Sequence, residues 1–247
     1  MEITKIYTNQ IVEIFYRTSF SKPGLNRIKR FYKYFDYIEG IPVVEKIGER
    51  KYRLISHCEN IDCFDSRNIC IPSIIKNFNN DEERYLEVLK FLIDGKSNSR
   101  FKEKYHIVNT LILTISLDDI SEKIDIPIKE LKEYLFKEDQ YQYYLITSLE
   151  AGSYSQMSKV VGFLRKNTWV NPQASLLLLN LTLKDTNGLF KLTDNRWMIV
   201  RLILEGIQVN YIDLTATQQL EILKEIIMDG WTILIDHFNR RCDQIGR

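Results

Sequence analysis

Twenty residues, Ser116 to Leu135, read SLDDISEKIDIPIKELKEYL and leave few choices of local fold. Leu117, Ile120 and Ile124 recur at helical spacing. Ser116 stands at the N-cap position, and Asp118 and Asp119 fill the first turn, where carboxylates meet the positive end of the helix dipole. The pattern stops at Asp125-Ile126-Pro127 and restarts in a second short helix, for which Pro127 suits the first position. Two short helices joined by so tight a turn cross steeply and share one small apolar patch, here Leu117, Ile120, Ile124, Leu131 and Leu135. The spacing therefore predicts a helix-turn-helix whose second helix turns Ile128, Lys129 and Lys132 outward. Glu130 and Glu133 share that helix, so its net attraction for phosphate is small.

Upstream, Ile41-Pro42-Val43-Val44 is a β-rich run, Ile47-Gly48-Glu49-Arg50 is a turn, and Tyr52-Arg53-Leu54-Ile55 alternates as a returning strand. A third strand is expected around Ile69 to Ile75, and Ile11 to Phe15 fits a strand or a short helix. Asn77-Phe78-Asn79-Asn80 reads as a loop, with Asp81 as the N-cap of a helix carrying Tyr85, Leu86, Val88, Leu89 and Leu92. Phe101 to Leu113 predicts the next helix. Beyond Lys137, helices are expected over Ser153 to Leu164, Pro172 to Leu183, Trp197 to Gln208 and Thr217 to Phe238. Residues 137–142 and 77–81 read as exposed connections open to proteolysis.

The fold class expected is α+β and mostly helical. It comprises a small α/β domain over 1–80, a helical domain bearing the helix-turn-helix over 81–137, and an all-α domain over 138–247. With 45% hydrophobic and 27% charged residues the chain has the balance of a globular protein, not a disordered one. No run reaches the roughly 18 apolar residues of a membrane span, and MEITKIYTNQ has no signal-peptide core, so a cytoplasmic protein is expected. Four cysteines in that compartment stay reduced.

Net charge is only +1, but residues 1–53 hold eleven Lys and Arg against six Asp and Glu. Lys22, Arg27, Lys29, Arg30 and Lys33 interleave with Phe31, Tyr32, Tyr34 and Phe35, predicting a helix with an aromatic inner face and a basic outer one. That face is either a solvated surface or a phosphate-contacting one, with Arg27 and Arg30 as its candidate contacts. Lys102, Lys104 and Lys123 are candidates for further backbone contacts.

The order of these parts resembles the ParB-like family, in which a ParB/sulfiredoxin-type α/β domain precedes a helical DNA-binding domain. Ile41-Pro42-Val43-Val44 matches its PIVV strand, Tyr52-Arg53-Leu54-Ile55 its Y-x-L-I strand, and SLDDISEKIDI its S-x-E-E-I-A-x-x-x-G-I helix and turn. The likeness covers about residues 25–136. It implies double-stranded DNA as partner and a role in plasmid, phage or chromosome partition or in transcription regulation. In that family Gly-Glu-Arg-Arg follows the second strand and embraces CTP; here His57, Cys58, Glu59 and Asn60 stand after Ser56. Two cations have become an acid and an amide, which removes charge-assisted bonds that a triphosphate needs. Asn98 and Arg100 match a later nucleotide signature. The segment Ser56 to Asn60 with Asn98 and Arg100 is thus a degenerate nucleotide site, CTP is disfavoured, and no cofactor is expected.

Cys58 falls where sulfiredoxins carry a nucleophilic cysteine, but Glu59 and Asn60 supply no cation to lower its pKa. His57, Cys58, Cys63 and Cys70 lack a paired Cys-x-x-Cys knuckle, so zinc is not expected. His106 and His237 stand alone on apolar helices and read as structural. No Walker A, His-Glu-x-x-His or Gly-x-Ser-x-Gly sequence occurs. A DNA-binding protein without catalytic residues is the leading expectation. A nucleotide-hydrolysing or thiol-dependent enzyme, and an interaction protein that kept the fold alone, are the competing classes. The very apolar runs Leu176 to Leu179, Trp197 to Leu204 and Ile222 to Ile235 predict a homodimer formed beyond residue 140.

Overall fold

A computed structural model describes residues 3–18, 22–35, 40–63, 68–94, 101–183 and 191–245. The architecture is α+β, with a five-stranded sheet in the first third of the chain and helices thereafter. Contacts divide the chain once, into an N-terminal unit Met1–Leu135 and a C-terminal unit Phe136–Arg247.

The strands are β1 (Ile3–Tyr7), β2 (Ile11–Ile14), β3 (Val43–Gly48), β4 (Lys51–Leu54) and β5 (Cys70–Ile75), in the order β1-β5-β3-β4-β2. β3 and β4 form the expected antiparallel hairpin, with Val44 opposite Leu54 and Arg50 in the left-handed region at its turn. β3 also pairs with β5, in parallel, which makes it the middle strand. That position explains why Val43 and Val44 are apolar in succession, since a central strand covered on both faces has no solvent side to alternate with, whereas Ile41 precedes the strand and is exposed. Val44 packs with Ile6, Leu54, Cys58 and Ile71 on one face. Val43 packs on the other with Ile55, Leu86, Leu89 and Ile107.

Helices α1 (Lys22–Phe35) and α2 (Cys58–Asp62) accompany the sheet, and α3 (Asp81–Asp94), α4 (Phe101–Leu111), α5 (Leu117–Ile124) and α6 (Ile128–Lys132) follow it. The division expected at residue 80 is absent, because Val43 and Ile55 of the sheet share one core with α3 to α6. The Asn-rich segment is not a slack linker either. Asn79 gives its backbone and side-chain N–H groups to Glu83, and Asn80 Oδ1 accepts from Glu83 N at 2.9 Å, so the segment caps α3.

Sheet and α3 are also joined by charge. Buried Glu45 on β3 accepts from Arg84 Nε at 2.9 Å and Nη2 at 2.6 Å, and from Arg53 Nη1 at 3.0 Å. Arg84 reaches Asp81 and Arg53 reaches Glu13, completing the network. The hydrogen bonds from Arg84 are the largest influence holding the Glu45 carboxyl below its usual range.

The C-terminal unit contains α7 (Gln142–Glu150), α8 (Tyr154–Lys166), α9 (Pro172–Leu183), α10 (Asp194–Ile212) and α11 (Ala216–Ile245). One apolar cluster unites them, with Met157, Val160, Leu178, Trp197, Leu204 and Leu223 among its buried members. α10 and α11 form a hairpin in which Gly230 lets the helices approach; a Cβ there would lie 3.0 Å from Ile199 Cγ2. Buried Gln219 ties the bundle, donating to Tyr211 O at 2.8 Å and accepting from Asn171 Nδ2 at 2.8 Å. No described helix is long and apolar enough to cross a membrane.

Candidate nucleic-acid interface

The α5–α6 pair is built by local chemistry. Ser116 Oγ accepts from Asp119 N at 3.1 Å while the Asp119 carboxylate accepts from Ser116 N at 3.3 Å, a reciprocal capping box. The same carboxylate accepts a hydrogen bond from the Ser116 hydroxyl at 2.6 Å, and these bonds hold Asp119 below the usual carboxylate range. Asp125 ends α5 in the left-handed region, at φ 57°, with its N–H on Ser121 O. The Ser121 hydroxyl then closes the turn on Ile126 O at 2.6 Å. Pro127 occupies the N-cap of α6, one residue before its expected place. α6 itself is shorter than expected: after Lys132 the chain continues to Leu135 in turns bonded three residues back.

Ile120, Ile124 and Leu131 are buried, and Leu117 and Leu135 pack against the same core, so the pair's apolar patch faces inward as its spacing requires. Lys129 and Lys132 are exposed, whereas Ile128 is half-buried. Glu133 is exposed beside them. An open cleft of about 570 Å³ runs past Pro127, Lys129, Glu133 and Tyr134.

The supporting lysines are placed less uniformly. Lys123 is exposed and pairs with Glu82 at 3.1 Å. Lys102 is half-buried. Lys104 is mostly buried, 6% exposed with its ammonium 5.6 Å from the centre of the Tyr134 ring, and it lines the same cleft as Lys129.

α1 carries its charge as expected. Arg27, Arg30, Lys22, Lys29 and Lys33 are exposed and the helix contains no acid, while Ile28 is buried and Tyr32 packs against the sheet's cluster. Tyr34 departs from the expected aromatic inner face: at 77% exposure it stands with the cations. Among the described residues, α1 is the densest one-sign surface of the N-terminal unit.

The segment after β4 is stitched inward. Ser56 Oγ accepts from Val43 N at 3.2 Å and lies 3.0 Å from His57 Nδ1, so the adjacent Ser and His serve as a structural bridge. His57 has φ 61°, and its ring meets Phe91 at 4.1 Å. Cys58 is buried with its sulfur 3.0 Å from Thr18 Oγ1, Cys63 turns to Leu25 O, and Cys70 is exposed. The three sulfurs therefore have separate surroundings, and no group of three or more metal-ligating side chains occurs among the described residues. Glu59 is buried. The Asn60 side chain, Asn98 and Arg100 lie outside the described residues, as does the His237 side chain.

A cavity of about 420 Å³ adjoins this segment, between Val43, Ser56, His57, Lys90 and Phe91. Lys76 on its wall is bound through both carboxylate oxygens of Glu87, at 2.7 and 2.8 Å. A cation so neutralised offers little to a polyphosphate.

Sequence reasoning missed the Glu45–Arg84–Arg53 network. Its one signal was an acid inside the apolar run Val43-Val44-Glu45, which a central strand tolerates only with partners. No protein-family model matches the chain, and no curated protein matches it.

Proposed function

We propose that the N-terminal unit binds double-stranded DNA, with α5 and α6 as a helix-turn-helix and α1 as a second, phosphate-binding helix. The carrying observation is the α5–α6 pair itself: capped by Ser116, turned by Asp125, locked by Leu131, and presenting Lys129 and Lys132 to solvent. The unit's order of parts supports a ParB-like role in partition or transcription control. So does His57, whose left-handed backbone falls where that family has glycine.

The charge balance divides the labour. Residues 116–133 carry six carboxylates against three lysines, so this segment attracts phosphate poorly. It suits base reading, where Glu130 or Glu133 accepts from cytosine N4, better than non-specific affinity. Affinity then comes from α1, whose five cations meet no acid on the same helix. No catalytic group enters this reading.

Fluorescence anisotropy with a duplex from the region upstream of the chain's own coding sequence, and with a scrambled duplex, tests it across a salt series. Lys129→Ala with Lys132→Ala is expected to reduce discrimination between the duplexes with little change in salt slope. Arg27→Ala with Arg30→Ala is expected to weaken both duplexes alike and to lower the salt slope of log affinity by about two. No binding of either duplex at low salt and micromolar protein overturns the reading.

A further inference from the structure

One face of α10 is apolar where no described element covers it. Met198, Leu202, Val209 and Ile212 are 52%, 48%, 81% and 46% exposed, and with Glu205 they follow alternating steps of four and three residues. That repeat keeps a single stripe along a helix, as in the seam of a coiled coil. The helix's buried residues, Ile199, Val200, Ile203 and Leu204, lie on its other side. The stripe therefore faces away from the bundle's core.

The two halves of the stripe have different shapes. Met198 and Leu202 wall an open groove of about 790 Å³, whose other side is α8 with Gly162 and Lys166. Gly162 leaves its floor open, since a Cβ there would meet nothing within 4 Å. Val209 and Ile212 lie beyond the groove's lining and stand out as a ridge. Ridge and groove are about ten residues apart on one helix, roughly 16 Å.

A surface with a groove at one end and a matching ridge at the other is complementary to a copy of itself turned through a two-fold axis. We infer that this α8–α10 surface is a homodimer interface in which the Val209–Ile212 ridge of each copy fills the other's groove. Antiparallel pairing about the middle of α10 engages both grooves at once. Asp213, exposed at the end of the ridge, arrives at the N-terminus of the partner's α10, where Asp194 is paired with Lys159 at 2.7 Å, and Glu205 near the axis is paired with Arg201 at 3.1 Å, so the acids on this surface have partners within their own copy or meet a helix N-terminus. The four apolar side chains leave roughly 400 Å² open per copy, close to the apolar share of the roughly 800 Å² that each partner buries in a stable interface.

Light scattering on the full-length chain at micromolar concentration tests the interface. The expected mass is twice the 29.3 kDa of one chain. Val209→Asp is expected to give monomers with an unchanged circular dichroism spectrum, because so exposed a side chain supports no core. Gly162→Leu, which fills the groove without touching the bundle, is expected to do the same. Met228→Asp, on an exposed site of α11, is expected to leave the dimer intact. A monomeric wild-type chain overturns the inference, as does a Val209→Asp or Gly162→Leu chain that stays dimeric.

Discussion

The two units carry almost the same charge balance and use it oppositely. The N-terminal unit has 22 Lys and Arg against 21 Asp and Glu, and the C-terminal unit has twelve of each. In the first, a sheet covered on both faces must bring strand edges and helix ends together, and a buried carboxylate, Glu45, joins them through two arginines. In the second, five helices close on one apolar cluster, with Gln219 as its polar tie. The surfaces diverge accordingly: the first gathers five cations on α1, the second an apolar stripe on α10. Net charge per domain is a poor guide to what a surface meets; segregation of charge is a better one.

If the units are separately cored, substitutions in one should leave the other's unfolding unchanged. All three tryptophans, Trp169, Trp197 and Trp231, lie in the C-terminal unit, so their fluorescence follows that unit alone while far-ultraviolet circular dichroism follows both. The largest effect is expected from Leu178→Ala, a fully buried contact in the cluster, at about 3–4 kcal/mol. The fluorescence transition in urea should move and the remaining circular dichroism transition should stay. A shift of both together breaks the comparison.

Glu45→Ala is the counterpart in the N-terminal unit, at about 3 kcal/mol, since it leaves Arg84 half-paired in a buried place. Here the circular dichroism transition should move while fluorescence stays. Acid sharpens the same point. Arg84 depresses the folded-state pKa of Glu45 below 4.5, so the stabilisation is present above that value and lost as pH falls through the depressed one. The N-terminal unit should thus lose stability in that acid window, and Glu45→Gln should flatten the loss. A wild-type acid profile identical to that of Glu45→Gln would remove the clamp from the account.

A smaller effect, about 1 kcal/mol, is expected from Ser116→Ala, which deletes one half of the capping box. Measured on the circular dichroism transition, it should add to Glu45→Gln without coupling. Non-additivity beyond a few tenths of a kcal/mol would show that cap and clamp share strain.

What the sequence revealed, and what it hid, follows the range of the forces involved. The α5–α6 helix pair was legible because Ser116, Asp125 and Pro127 act on neighbours within five residues. The β3–β4 hairpin was legible for the same reason. β1 was missed, since Ile3, Lys5 and Tyr7 are exposed and β1 is defined by pairing with β5 nearly seventy residues later. α7 was missed because Tyr141, Tyr143 and Tyr144 put aromatic side chains around most of its first turn and blur the helical period. Lys104 looked like a surface cation because the ring that covers it, Tyr134, is thirty residues away. The break expected at residue 80 failed similarly, because Asn79 and Asn80 look like a linker until Glu83 is seen to use them as a cap.

The smallest expected effect lies at the turn that the candidate interface depends on. Asp125 holds φ 57° and is exposed, so its left-handed backbone costs free energy that glycine would not. Glycine in turn loses more freedom on folding, and the two effects offset to leave Asp125→Gly stabilising by about 0.5 kcal/mol. The bond from residue 125 N–H to Ser121 O is a backbone bond and survives the change. His57, left-handed as well, is the contrast: its ring rests on Phe91, so His57→Gly loses packing and should destabilise. Asp125→Gly also deletes a negative charge between the two helices, so under the DNA-binding proposal it should tighten duplex binding as it stabilises the fold. Tighter binding at low salt that fades as salt rises would place the turn beside phosphate, whereas a stabilised fold with unchanged affinity at every salt concentration would turn α5 and α6 away from the duplex.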